Sequence, residues 1–271
     1  GRDCCYNFFA MTNQEKILAL SILEDKDAAA LPSPGESGRL PALISGLSAV
    51  HRAHLAAALR VKYKKPLVIL CPDEASANAI AGDVAALTGE TCTALIARDY
   101  VFYSADAMSR SGEQRRINAL SFMMNGEGIT VATAEGFFER TMPPEVFRRS
   151  VFEIDMHSTV APEDVEDALL RCGYSRAVQT EGPGQFSRRG GIIDFFSPAH
   201  SQPVRIEFWG DEIDSMGFFD TGTQRRTENI EKCVVVPAAE MLPSLAKGGA
   251  QALAAELNQL ADRALKRRSG E

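Results

Sequence analysis

The stretch "PLVILCP", residues 66–72, sets five consecutive apolar side chains between two prolines. Five residues are too few for a stable helix, and a half-solvated strand would alternate apolar with polar positions. A run of this kind therefore reads as a strand covered on both faces, as in a parallel sheet with helices on either side. The same reading applies to "PALISGL" (41–47), "TALIA" (93–97) and "GITVATAEGFF" (128–138). Between these runs lie three helical stretches, "SAVHRAHLAAALRVKY", "DEASANAIAGDVAALTG" and "GEQRRINALSFMMNG". In the second of them Asp73 is the N-cap, Ala77, Ile80, Val84 and Leu87 form the buried stripe, and Gly89 ends the helix. Strand and helix in alternation predict a three-layer α/β domain over about residues 40–140. Upstream, residues 12–31 read as a helix with Ile17, Leu20, Ile22 and Leu23 on one side, followed by the breaker-rich "LPSPGESGR". The ten residues before Met11 are set aside as a leader foreign to the natural chain.

Past "TMPPEVFRRS", a proline-marked connector, the period changes. "VFEIDM" alternates like a strand, "PEDVEDALLRCG" is a short amphipathic helix with Pro162 near its start, and "GIIDFF", "PVRIEF" and "SMGFF" follow with short turns. The expected product is a small α+β domain, an antiparallel sheet backed by one helix. The boundaries read as 1–148 for the first domain, 149–235 for the second and 236–271 for the remainder, and from "VVVPAAEM" (234–241) onward the chain reads as helical again.

At 271 residues and 45% hydrophobic, the chain has enough apolar side chains for one large core or two ordinary ones. Its 36 acidic and 29 basic residues leave a net charge of -7, which gives no general attraction to a phosphate backbone. Six cysteines are scattered without a CxxC pair, the pattern of reduced thiols in a cytoplasmic protein. No run approaches the roughly 18 apolar residues of a membrane span, and "GRDCCYNFFA" lacks the features of a signal peptide.

The first turn from strand to helix, "SGLSAVHRA", stands where a nucleotide-binding protein carries GxxxxGK[ST]. Counted from Gly46, the second glycine is replaced by His51, the lysine by Arg52 and the hydroxyl residue by Ala53. Without that hydroxyl the loop offers no ligand to Mg²⁺, so ATP hydrolysis is not expected, and no cofactor or metal is expected elsewhere. His51 and His54 are helically spaced but lack a third ligand, so they read as ordinary helix residues. Cys71 and Asp73 of "CPDE" are explained by packing and capping, and "SRSGEQRR" (109–116) by a solvated helix entry. No nucleophile with a nearby base is legible. In "PVRIEFWGDEID" the side chains of Val204, Ile206 and Phe208 share one face of a strand, and those of Arg205, Glu207 and Trp209 share the other. The lone tryptophan thus stands among charges, with Arg189 at the mouth of the preceding hairpin. Aromatics flanked by arginines make up protein-binding hot spots, yet the same composition suits a tryptophan packed beneath a neighbour with its arginines paired.

The order of motifs from Phe186 resembles the UvrB-homologous N-terminal module of bacterial transcription-repair coupling factors. It runs Arg189-Gly190-Gly191, "IIDFFSP", "PVRIEFWGDEID", "FFD" and "TQRR", and the likeness extends upstream through "ISGLSAVHRAHLAAAL", "KPLVIL" and "GEQRRINAL". The resemblance implies a degenerate P-loop helicase-like parallel-sheet domain carrying an inserted α+β domain, with residues 236–271 beginning the return of the first domain and cut at 271. It implies a non-catalytic, monomeric, cytoplasmic module that recruits UvrA to transcription-coupled nucleotide excision repair by imitating UvrB. In the complete factor other domains would engage RNA polymerase and translocate on DNA. The contact with UvrA is assigned to Arg189, Arg205, Glu207 and Trp209, held as one open patch of unpaired groups, with Trp209 in place of the family's usual phenylalanine. Two rivals remain at this point: an active ATP-dependent helicase of the UvrB type, and direct DNA binding through Arg188, Arg189, Arg225 and Arg226.

Overall fold

The computed structural model describes residues 12–26, 31, 42–98, 110–126 and 128–269. The chain divides into two compact units, Gly1–Arg140 and Thr141–Glu271.

The first unit begins with α1 (Asn13–Leu20), tightened into a 3₁₀ turn at Ser21–Glu24. The expected stripe is only partly right: Ile17 and Leu18 are exposed and Ala19 is buried. The helix meets α2 (Ala49–Tyr63) partly through a polar contact, His54 Nε2–H donating to the Leu18 carbonyl at 2.8 Å. Next come β1 (Leu67–Cys71), α3 (Glu74–Thr88), β2 (Cys92–Leu95), α4 (Ser111–Met124), β3 (Ile129–Thr133) and α5 (Ala134–Phe138). The three strands form a parallel sheet in the order β1-β3-β2. Ala53, Ala56, Ala57, Val84 and Ile129 knit α2 and α3 to one face, and Ala119 of α4 joins Leu95 and Ala132 on the other. Asp73 caps α3 by accepting from the Ser76 N–H at 2.7 Å, and Gly89 closes it at φ +67°.

Three expectations for this unit fail. Residues 42–47 form no strand, and Leu43 is almost wholly exposed, because an apolar run becomes a strand only with a ladder partner and none pairs with it among the described residues. The run from Ile129 breaks at Thr133, whose hydroxyl accepts from the Gly136 N–H and starts α5. Arg116, read as part of a solvated helix entry, is fully buried, donating to the Ile96 carbonyl and pairing with Glu139 at 3.2 Å. Ser109 of that cluster lies outside the described residues.

The second unit holds α6 (Pro144–Ser150), β4 (Phe152–Asp155), α7 (Pro162–Arg171), β5 (Ser175–Arg176), β6 (Gln185–Arg189), β7 (Ile192–Phe195), β8 (Val204–Trp209), β9 (Glu212–Phe219), β10 (Arg226–Asn229), β11 (Lys232–Val235) and α8 (Gly249–Ser269). The supposed connector is thus a helix, with Pro144 supplying the fixed φ of its first turn. Val234 and Val235, which open the stretch "VVVPAAEM" read as helical, instead end β11, which pairs antiparallel with β4 in a separate two-stranded sheet. The main sheet has six strands in the order β10-β9-β8-β7-β6-β5, antiparallel except for the β5–β6 pair. Val165 and Leu169 of α7 pack with Phe186, Ile193, Phe195, Val204, Ile206 and Met216 from one face of this sheet, the unit's core. The mixed α/β character expected from the sequence is present: parallel in the first unit, mainly antiparallel in the second.

Cys71, Cys172 and Cys233 are buried and Cys92 partly so, all as thiols outside any disulfide. Burial pushes Cys92 up to about 12 and Cys172 to about 11, so both stay protonated at neutral pH. Cys4 and Cys5 lie outside the described residues. Among the described residues no helix is long and apolar enough to cross a membrane.

Candidate functional site

Two tight turns set the geometry of the sheet face turned away from α7. Arg189 pairs with Ile192 across Gly190-Gly191, and Trp209 pairs with Glu212 across Gly210-Asp211. Gly190 and Gly210 adopt φ +60° and +64°, a region costly for other residues. At Gly191 the need is closeness, since a Cβ there would come within 2.9 Å of the Phe208 carbonyl oxygen, which lies on the adjacent strand. Ile192 pairs with Glu207, so both turns lie at the same end of the sheet. Alternation then places Arg189, Glu207 and Trp209 on one face at that end, with Asp194 and Arg205 further along it.

Trp209 is 83% exposed at the tip of β8. Of the two arrangements the sequence left open for this residue, the outward one is found. The arginines are another matter, because both reach Asp194, which is only 1% exposed. Arg205 grips this carboxylate as a fork, with Nε donating to Oδ1 at 2.7 Å and Nη2 to Oδ2 at 2.8 Å. Its other edge donates to Gln224, from Nη1 to the carbonyl at 3.1 Å and from Nη2 to Oε1 at 3.2 Å. The guanidinium also lies 4.5 Å from the centre of the buried Phe219 ring. Its bond to Asp194 holds the Arg205 pKa above the usual arginine value. Arg189 makes a single bond, from Nη2 to Asp194 Oδ2 at 2.9 Å, and keeps 52% of its side chain exposed. The expectation that both guanidinium groups stand unpaired is therefore corrected: a carboxylate buried in mid-sheet must find cations, and these two are the nearest.

Glu207 is also tied, accepting from Ser215 Oγ at 2.9 Å and pairing with Arg226 Nη2 at 3.1 Å. Arg226 crosses β9 over Gly217, where a Cβ would stand 3.0 Å from Arg226 Cδ. Behind Asp194, Thr180 Oγ1 donates to the Asp194 carbonyl at 3.1 Å and meets Ser187 Oγ at 3.1 Å. The sequence reading gave Asp194, Gln224 and Ser215 no part in the site, and named Arg226 only as a DNA contact. One signal was available, a carboxylate in the middle of the apolar run "IIDFF".

Arg188 does not join this face. It pairs with Ile193 and so points to the α7 side, where it donates to Glu163 and, at 3.2 Å, to Glu166. The arginines named for direct DNA contact are thus split between two faces, which removes the single basic patch that reading needs.

In the first unit, Gly46 has φ +80° and Ser48 caps α2, its hydroxyl accepting from the His51 N–H at 3.4 Å. His51 and Arg52 are exposed, while Ala53 is fully buried against α3 and β3. The position where a nucleotide loop needs a hydroxyl for Mg²⁺ thus turns a methyl into the core. His51 Nδ1 meets Ser48 Oγ at 3.1 Å, whereas His54 is engaged with Leu18, so the two imidazoles have different partners.

Residues 152–241 match the UvrB interaction domain. The chain is 29% identical over 224 residues to a transcription-repair-coupling factor of Bacillus subtilis, covering 82% of this chain and 19% of the relative. It is 29% identical over 206 residues to a factor of the same name from Myxococcus xanthus (73% and 17%), and 31% identical over 128 residues to that of Staphylococcus aureus strain MRSA252 (47% and 11%). The chain spans about a fifth or less of the length of these relatives. The resemblance to the UvrB-like N-terminal module of these factors, read from the motifs, is borne out.

Proposed function

We propose that this chain, a likeness of the UvrB-like module of transcription-repair coupling factors, docks UvrA on the sheet face that carries Trp209 and thereby recruits it to transcription-coupled nucleotide excision repair. The observation that carries the reading is the indole, 83% exposed at the end of a strand whose register sets it on the same face and at the same end of the sheet as Arg189 and Glu207. A large exposed aromatic on the same sheet face as an arginine with open donors suits the centre of a protein interface, where burial by the partner recovers the hydrophobic contribution of the ring. The five charged groups Arg189, Asp194, Arg205, Glu207 and Arg226 sum to one positive charge, on a chain whose total is -7. Such a local excess favours a partner that offers a carboxylate.

The module's role is binding, without catalysis. Ala53, buried where a nucleotide loop needs a hydroxyl, supports a degenerate P-loop over an active one. Within a full-length factor, RNA polymerase and DNA would be engaged by parts outside this chain, and the module itself acts as a cytoplasmic monomer.

Calorimetry with purified UvrA tests the reading. Trp209→Ala and Arg189→Ala should each weaken binding by about 2 kcal/mol while shifting folding stability by less than about 0.5 kcal/mol. If both variants bind as the unchanged chain does, the docking face is wrong. Millimolar ATP with Mg²⁺ should leave the melting temperature where it is, and a rise of several degrees would restore the helicase reading.

A further inference from the structure

We infer that Asp194 is a positioning residue of the docking face, and that the two arginines it holds divide the work: Arg189 meets the partner, while Arg205 acts from behind. This inference rests on the docking proposed above. Asp194 lies on β7, between the strands that carry the two arginines, and is almost wholly buried beneath them. It takes two N–H donors from Arg205 and one from Arg189.

Arg205 has little left to offer a partner. Two of its five N–H groups go to Asp194 and two to Gln224, and its side chain is only 15% exposed. Gln224 holds φ +59°, an uncommon setting for a side-chain residue, and there its carbonyl and amide oxygens both face the guanidinium. The guanidinium is therefore a rivet between β8, β7 and the turn before β10. Arg189, with one bond and half its side chain in solvent, keeps the rest of its fork for a carboxylate from outside. Asp194 fixes where that fork points, through one oxygen that both arginines share. The partner chemistry that fits is a carboxylate opposite Arg189 next to an apolar surface that covers Trp209.

The test uses the full chain, purified UvrA and two readouts. In calorimetry, Arg189→Ala should weaken binding about 30-fold and Asp194→Asn about 5- to 10-fold, while the double variant should be no more than about 2-fold weaker than Arg189→Ala alone. Effects that multiply, or an Asp194→Asn chain that binds like the unchanged one, would overturn the inference. In nuclear magnetic resonance of the free chain, the Arg205 Nε–H should exchange slowly with solvent and lose that protection in Asp194→Asn, with the Arg189 signal shifting at the same time. Persistence of both signals would overturn it independently of any partner. Should Arg189→Ala and Trp209→Ala leave UvrA binding intact, the docking proposal falls, and the resonance result alone decides the role of Asp194. If Asp194→Asn fails to fold, Gln224→Gly removes the Oε1 acceptor of Arg205 and loosens the turn that carries its carbonyl acceptor. A several-fold loss of affinity with a mobile Arg205 then supports the inference, and unchanged affinity overturns it.

Discussion

On the face of the six-stranded sheet covered by α7, Arg188 gives its guanidinium to Glu163 and Glu166, whereas on the opposite face its neighbour Arg189 makes one bond and leaves half its side chain in solvent. The two residues are adjacent and chemically identical, and the pleat alone separates them. On the α7 side the polar group closes the margin of an apolar core and is fully employed in doing so. On the other side a buried carboxylate, two arginines and an open indole form a polar layer with donors to spare. The lesson is that an arginine's role follows from which face it lands on and what already waits there, so sequence composition is a poor guide to a binding face unless strand register is known.

If the α7 side carries stability and the other side carries affinity, damage to each should be read by a different instrument. The largest effect is expected at Phe186, which is fully buried against α7 and the sheet. Phe186→Ala should lower the unfolding free energy of the second unit by about 3–5 kcal/mol in urea titration, enough to unfold a marginal domain. Any fraction still folded should bind UvrA as before. A folded, stable variant with lost affinity would erase the distinction between the faces.

A smaller effect sharpens the contrast between the two arginines. Arg188→Ala loses a pair with Glu166, whose side chain is 13% exposed, and a second with Glu163, which is open to solvent. Screening limits what such pairs contribute, so the expected loss is about 1 kcal/mol of stability, with UvrA affinity unchanged. Arg189→Ala should give the reverse pattern. If Arg188→Ala weakens binding as much as Arg189→Ala does, the binding surface wraps around the sheet edge and the assignment by face is wrong.

Much of this was legible beforehand, for reasons that also explain the failures. The β1–α3 segment was readable because a proline-fenced apolar run, an Asp cap and a terminating glycine all agree. Trp209 on the charged side of its strand followed from a period of two, which no tertiary context altered. "PALISGL" misled because hydrophobicity reports a tendency to burial and says nothing about whether a neighbouring strand exists. β11 was missed because a four-residue strand is paired only with β4, about eighty residues earlier in the sequence, and carries no local sign of that partner. Pairing of Arg189 and Arg205 stood among the alternatives, but the partner they share was out of reach for a similar reason. It depends on Asp194 lying on the strand between them, a fact of sheet order that motif spacing does not encode.

The weakest expected effect concerns a second polar group on the core side, one that is kept neutral instead of paired. His200 is largely buried, its Nε2–H donating to the Val234 carbonyl at 3.0 Å and its ring standing edge-on to Phe218 at 5.5 Å. Burial lowers its pKa below the ordinary histidine value of about 6.5. In the window between the folded and unfolded values the unfolded chain therefore binds more protons, so stability rises with pH there. His200 contributes its full stability above about pH 6.5, and the contribution is lost as the pH falls towards the lowered folded value. His200→Gln keeps a donor for Val234 but cannot take up the proton, so its urea midpoint should vary less between about pH 7 and 5 than that of the unchanged chain. Equal slopes would mean that the imidazole becomes charged inside the fold as readily as in water, and that the core side tolerates charge no worse than the Trp209 side does.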